Sequence, residues 1–217
     1  MKNLNEYIEH TLLKQDAKSE DLAKIYKEAK NYNFRGVCIN PCYVKLAKEA
    51  LKDTNVKIVT VIGFPLGANK SEVKAFEASC AKADGADEID MVINVTALKD
   101  KNYELVVEDI KAVKIACGDL PLKVIIETDL LAKDEIVKAC ELAIEAGANF
   151  VKTSTGFVKG GVGAKVEDVK LMYDTVNSKG LKVKASGGIR DKETAIKMIE
   201  AGAYSLGTSS GVKIISE

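Results

Sequence analysis

The feature that most constrains this chain is an alternation repeated along its whole length. Short apolar runs of β character are followed by longer charged segments whose apolar residues recur every three or four positions. The runs fall at 10–13, 36–39, 57–62, 88–93, 123–127, 150–154, 182–186 and 205–208, which makes eight strands. Between them, 19–31, 70–84, 103–117, 134–145, 166–178 and 191–201 are rich in Ala, Lys and Glu and predict amphipathic helices. A weak internal echo marks the repeating unit. Asp84-Gly85-Ala86-Asp87, Ala146-Gly147-Ala148-Asn149 and Ala201-Gly202-Ala203-Tyr204 each put a glycine where a helix should end, just before a strand. Strict alternation implies a parallel sheet, and eight units favour an α/β fold of one closed (β/α)8 TIM barrel spanning residues 1–217. An open doubly wound sheet gives much the same local pattern. The first strand is the weakest, since Glu9-His10-Thr11-Leu12-Leu13 reads equally well as a lead-in turn.

Charge narrows the function classes. Lys+Arg and Asp+Glu both total 32, so no long-range field points to nucleic acid or an anionic membrane, and any anion site must be local. Five scattered cysteines without a C-x-x-C pair argue against a disulfide framework or a thiolate zinc site and fit a reducing cytosol. A single histidine, His10, excludes a histidine-rich metal site. No stretch approaches the ~18 apolar residues of a membrane span, and residues 1–10 carry charge rather than an apolar leader core. The expected protein is soluble and cytoplasmic.

In a barrel, the strand ends that precede the βα loops form the active face. Those ends hold Asp16, Asn40, Asp90, Asn94, Glu127, Thr128, Lys152 and Lys184. Lys152 interrupts what should be an unbroken buried run, and burying an ammonium costs several kcal/mol unless it is paired or deprotonated. In Glu88-Ile89-Asp90-Met91-Val92-Ile93-Asn94 a period of two turns the apolar set to the helices and Asp90 to the interior. Lys184 points inward near the active end, while Lys182 can reach solvent at the other end. The interior should therefore hold Asp90, Lys152 and Lys184, with two ammonium groups disfavouring each other's charge so that one lysine becomes a neutral nucleophile. Ser186-Gly187-Gly188-Ile189-Arg190 and Gly207-Thr208-Ser209-Ser210-Gly211, after the last two strands, read as an anion site.

Taken singly, each residue has a plainer meaning. Asp90 or Glu127 could be a core ion-pair partner, and Asp16 a cap for the helix near Ser19. Gly147 and Gly202 read as helix ends, His10 as a hydrogen-bonded structural residue, Cys38 and Cys42 as packing. Conjunction at one barrel mouth is what singles out Asp90, Lys152 and Lys184. On the residues alone, a transaldolase-like aldolase, an acid–base isomerase and a non-catalytic sugar-phosphate sensor stay open.

Eight segments together carry a resemblance that covers essentially the whole chain. They are Glu9-His10-Thr11-Leu12-Leu13, Val37-Cys38-Ile39-Asn40-Pro41, Gly63-Phe64-Pro65-Leu66-Gly67, the Glu88–Asn94 run, Lys123-Val124-Ile125-Ile126-Glu127-Thr128, Val151-Lys152-Thr153-Ser154-Thr155-Gly156-Phe157, Lys184-Ala185-Ser186-Gly187-Gly188-Ile189-Arg190 and Gly207-Thr208-Ser209-Ser210. The chain resembles the deoxyribose-phosphate aldolases, which are class I aldolases. The resemblance implies reversible cleavage of 2-deoxy-D-ribose 5-phosphate to D-glyceraldehyde 3-phosphate and acetaldehyde, without metal or other cofactor, in deoxyribonucleotide catabolism. It implies Lys152 as the Schiff-base lysine, Lys184 as the lysine that lowers its pKa, and Asp90 as proton donor and acceptor. Phosphate falls to Gly187, Gly188, Gly207, Ser209 and Ser210, with Gly156 at its edge. No nucleic-acid or membrane partner is implied, and a homodimer is the expected assembly. Three departures stand out: Glu9 replaces an expected aspartate, the loop 157–165 looks slightly longer than usual, and the chain ends at Ile214-Ile215-Ser216-Glu217 without the terminal tyrosine of some relatives.

Overall fold

Each apolar run becomes a strand, and the strands close on one another. The computed structural model describes residues 3–217; Met1 and Lys2, which open the expected domain, lie outside the described residues. The strands are β1 (Ile8–Leu12), β2 (Gly36–Ile39), β3 (Lys57–Ile62), β4 (Glu88–Val92), β5 (Leu122–Ile125), β6 (Phe150–Lys152), β7 (Lys182–Ser186) and β8 (Ala203–Thr208). Every neighbouring pair is parallel, and β8 returns to pair with β1 at Ile8↔Leu206 and His10↔Thr208. That last pairing decides for a closed barrel over an open sheet.

The helices are α1 (Ser19–Asn31), α2 (Val44–Leu51), α3 (Ser71–Ala83), α4 (Val95–Lys99), α5 (Tyr103–Cys117), α6 (Lys133–Glu145), α7 (Val166–Val176), α8 (Lys192–Glu200) and α9 (Gly211–Ser216). Six of them follow the periodic segments. The other three, α2, α4 and α9, have only 8, 5 and 6 residues, too few to show a clear helical period. Helix ends obey local chemistry: Asn94, Asn102 and Asp191 accept N–H bonds at the starts of α4, α5 and α8, and Gly85, Gly147 and Gly202 follow helices with positive φ. Asp16 is exposed and caps nothing at α1, where the carboxylate of Asp21 takes the Lys18 N–H instead.

Some boundaries move for readable reasons. β1 begins at Ile8 rather than His10, so the lead-in turn is Leu4–Tyr7 and Glu9 lies within the sheet. β5 stops at Ile125 because Glu127 adopts a left-handed conformation, φ 60°, and opens a 3-10 turn at Thr128–Leu130. β6 is only Phe150–Lys152.

The outward faces of the strands, among them Ile39, Ile58, Ile89, Met91, Val124, Val151 and Leu206, pack on the helices as one apolar layer. Full burial of each such side chain contributes roughly 1.5–3 kcal/mol. The barrel interior is lopsided. On the β2–β3 side Cys38, Val59 and Val61 cluster with Leu13 and Phe64, whereas charged side chains enter from β1, β4, β5, β6 and β7. Cys38 thus does pack, but Cys42, expected to do the same, is exposed in the turn Pro41–Tyr43. Among the described residues no helix is long and apolar enough to cross a membrane.

A buried ion pair links two of the outer helices. Lys74 of α3, fully buried, donates to Asp109 of α5 at 2.6 Å and to the Val92 carbonyl at the end of β4 at 3.0 Å. Removing one member strands the other charge, so Lys74→Met should lower unfolding stability by about 3–5 kcal/mol in urea titrations. Lys170→Ala, which breaks the exposed Lys170–Asp174 pair, should cost about 0.5 kcal/mol or less. Equal, small losses in the two variants would show that the Lys74 pair does not hold α3 and α5 together.

Candidate active site

At the C-terminal ends of the strands a cleft of about 340 Å3 opens between β1, β6, β7 and β8. Lys152 forms part of its floor, and Gly156, Gly187, Gly188, Gly207 and Ser209 lie in its walls. Ser210 does not reach it, serving instead as the residue before α9 with its N–H on the Thr208 hydroxyl at 2.9 Å. Arg190 and Lys14 stand at the rim.

The walls are tied together by hydroxyl groups. Thr153 Oγ1 donates to the Ser186 carbonyl and receives the Ser186 N–H, both at 2.9 Å, and Ser186 Oγ donates to the Ser154 carbonyl at 2.6 Å. These bonds fasten the ends of β6 and β7 side by side where the ladder stops. The Glu127 carboxylate receives the Thr155 N–H at 3.0 Å and the Thr155 hydroxyl, fixing the start of the loop after β6. Burial raises the Glu127 pKa, with the Thr155 bonds partly offsetting it. Asn94 caps α4, and His10 Nε2 pairs with Glu28 at 2.7 Å, the hydrogen-bonded structural role expected of it.

Beneath the cleft floor lies the charge cluster. Asp90 is fully buried and its Oδ2 receives hydrogen bonds from Lys152 Nζ at 2.8 Å and Lys184 Nζ at 2.6 Å. Both predicted lysines therefore meet on one carboxylate oxygen. The interior holds more than the expected three groups, however. Lys123 of β5 donates to Asp90 Oδ1 at 2.9 Å and pairs with Glu88 at 2.6 Å. Glu9 of β1 accepts from Lys184 and, at 2.8 Å, from Arg35, whose other nitrogen meets Glu88 at 2.6 Å. Among the described residues, four cations thus face three carboxylates in the barrel interior. Of the three lysines, Lys123 and Lys184 are completely buried, while Lys152 touches the cleft.

Lys184 is held as an ammonium: burial lowers its pKa, but the carboxylates of Asp90 and Glu9 outweigh that and keep it above the ordinary lysine range, as its expected role as the neighbouring cation requires. Lys123 is raised for the same reason. Burial would raise Asp90, but Lys123, Lys152 and Lys184 hold it well below the carboxylate range. Glu9 is likewise brought down to about 2, against burial, by Lys123, Lys184 and Arg35.

Period-two parity could have found Lys123, which shares the inward face of β5 with Ile125 and stands opposite Asp90 in the ladder. Glu9 alternates with Thr11 in the same way, once β1 is started early enough. Arg35 precedes β2 and has no such signal.

The comparisons with known proteins meet this geometry. Residues 7–217 match the DeoC/LacD family of aldolases. The chain belongs to that family. A deoxyribose-phosphate aldolase of Finegoldia magna is 57% identical over 212 residues, covering 98% of each chain. One from Streptococcus suis is 59% identical over 213 residues, covering 98% of this chain and 96% of its own. A solved structure described as a tetrameric deoxyribose phosphate aldolase from Aeropyrum pernix superposes with a TM-score of 0.90 at 34% identity, covering 98% of this chain and 89% of that one.

The lowered Glu9 pKa has a definite sign in stability. Its ionised form is favoured in the folded state, so its contribution is complete above the ordinary value of 4.5 and disappears as pH falls toward about 2. Glu9→Gln should therefore be less stable than the parent at pH 7, with the gap closing between pH 4.5 and 2 in pH-dependent urea unfolding. A gap that stays constant over that range would remove Glu9 from the charge cluster's account.

Proposed function

We propose that residues 1–217 form a single aldolase domain that reversibly cleaves 2-deoxy-D-ribose 5-phosphate into D-glyceraldehyde 3-phosphate and acetaldehyde through a Schiff base on Lys152. The observation that carries this reading is the position of Lys152 Nζ, which reaches the cleft on one side and hydrogen-bonds the buried Asp90, shared with Lys184, on the other. Lys123 and Lys184 are poorer candidates. Both are enclosed and each is held as an ammonium by two or more carboxylate oxygens.

Chemically, the Lys152 amine attacks C1 of the open-chain sugar aldehyde, and loss of water gives an iminium, which is the electron sink. A base removes the proton of the C3 hydroxyl. The C2–C3 bond then breaks, its electron pair entering an enamine, and glyceraldehyde 3-phosphate leaves. Protonation of the enamine at its terminal carbon and hydrolysis of the resulting iminium release acetaldehyde and restore the amine. Asp90, with a water and the Lys184 ammonium, relays these protons. Phosphate seats on Gly187, Gly188, Gly207 and Ser209, with Gly156 at the edge, far from the breaking bond, so that its binding energy positions the sugar. Ser210 belongs to the same turn, whose shape its N–H bond to the Thr208 hydroxyl holds. We place this activity in the cytoplasm, in breakdown of deoxyribonucleotides, and expect a homodimer, although the Aeropyrum pernix protein is described as a tetramer.

Borohydride reduction in the presence of acetaldehyde should leave a two-carbon adduct on Lys152 and inactivate the enzyme, as peptide mass mapping would show. Lys152→Ala should abolish both adduct and turnover. Asp90→Asn should retain binding but lose about 10²–10⁴ in kcat, the usual scale of a proton-transfer group. An adduct at another residue, or turnover in Lys152→Ala, refutes the assignment.

A further inference from the structure

The loops that wall the cleft are held by a carboxylate the reaction does not use. Asp129 sits in the 3-10 turn after β5, nearly buried, with its side chain 9% exposed. Its Oδ2 receives the Gly163 N–H at 2.8 Å and its Oδ1 the Val162 N–H at 3.3 Å, both from the loop between β6 and α7. Hydrogen bonds to an ionised carboxylate are stronger than those between neutral groups. The contact is also close: a Cβ on Gly161 would fall 2.6 Å from Asp129 Oδ2.

What Asp129 holds bears directly on the glycine pair of the β7–α8 turn. The Ala164 N–H donates to the Gly187 carbonyl at 3.1 Å. A Cβ on Gly163 would lie 2.4 Å from the Gly187 carbonyl carbon, and one on Gly188 would lie 2.3 Å from the Val162 oxygen. The two loops therefore meet backbone to backbone, and Gly187 and Gly188, at φ 84° and 75°, are in the left-handed region that glycine tolerates. Asp129 grips residues 162 and 163, and those residues brace Gly187 and Gly188 from behind. Lys165 Nζ, 3.9 Å from Asp129 Oδ1, offsets the negative charge that would otherwise stand behind an anion site.

We infer that Asp129 is a positioning residue for the phosphate group: it sets the preference for phosphorylated over unphosphorylated sugar by fixing the Gly187–Gly188 turn through the Val162–Gly163 segment. This rests on the reading that those glycines receive phosphate. It touches neither substrate nor Lys152, so its effect passes through backbone placement.

The test uses the full chain with Asp129→Ala and, as a second disruption of the same contact, Gly161→Ala. Inorganic phosphate binding is measured by calorimetry, and kcat/KM is measured for 2-deoxyribose 5-phosphate and for 2-deoxyribose. Both variants should weaken phosphate binding about tenfold, the scale of one lost hydrogen bond to a charged group, and lower the ratio of the two kcat/KM values by a similar factor. Phosphate affinity within twofold of the parent, or a parallel fall on both sugars with the ratio preserved, overturns the inference, as does a parent that binds no phosphate. If the parent binds phosphate but cleaves neither sugar, the proposed activity fails while the phosphate affinities still decide the role of Asp129.

Discussion

Everything in this molecule's interior is arranged around one carboxylate. Asp90 is removed from water and receives hydrogen bonds from three lysines, one to Oδ1 and two to Oδ2. Taking so many charges out of water carries a penalty that only mutual pairing can offset, so no member is independent. Arg35, Glu9 and Glu88 extend the cluster toward the N-terminal end of the barrel, each carboxylate meeting more than one cation. The apolar layer outside the strands stabilises the fold, and the charged layer inside fixes the chemistry at its upper edge.

A division of labour follows from that geometry. Lys123 and Lys184 lie wholly within the cluster and are held as ammonium ions by their carboxylates. Lys152 stands at the boundary, with one carboxylate below and open cleft above, the position that the proposed nucleophile requires. The loops after β6, β7 and β8 form a second, separate wall of backbone and glycine, to which the proposed phosphate recognition belongs. Thr153, Ser154, Ser186 and Glu127 join the two by hydrogen bonds at the strand ends. On the proposed reading, binding and bond cleavage rest on separate groups, Asp129 behind the first and Asp90 behind the second.

Much of this was legible beforehand. The alternation of apolar runs and amphipathic segments located all eight strands, and the lysine in a run that should have been apolar marked Lys152 before any coordinates. The glycine loops after the seventh and eighth strands marked the other half of the cleft. The short helices α2, α4 and α9 escaped because a segment of one or two turns has no measurable period. Ser210 was placed in the cleft by its company in sequence, whereas the start of α9 turns it aside. The pairing of Asp90 with the two lysines was legible from strand parity, but Lys123, Glu9 and Arg35, which with Glu88 complete the cluster, come from other strands and loops.

By itself the sequence determined the repeating βα unit and the identity of the residues at each strand end, because both are properties of neighbours along the chain. Closure of the sheet and the gathering of the charges were decided only in three dimensions. Lys184 bonds to Asp90 across 94 residues and to Glu9 across 175, and Lys123 faces Asp90 because of the hydrogen-bond register between β4 and β5. Register is a relation between strands rather than a property of either one, so no single segment records it. Which lysines are enclosed by carboxylates and which one stands at the cleft depends on that relation.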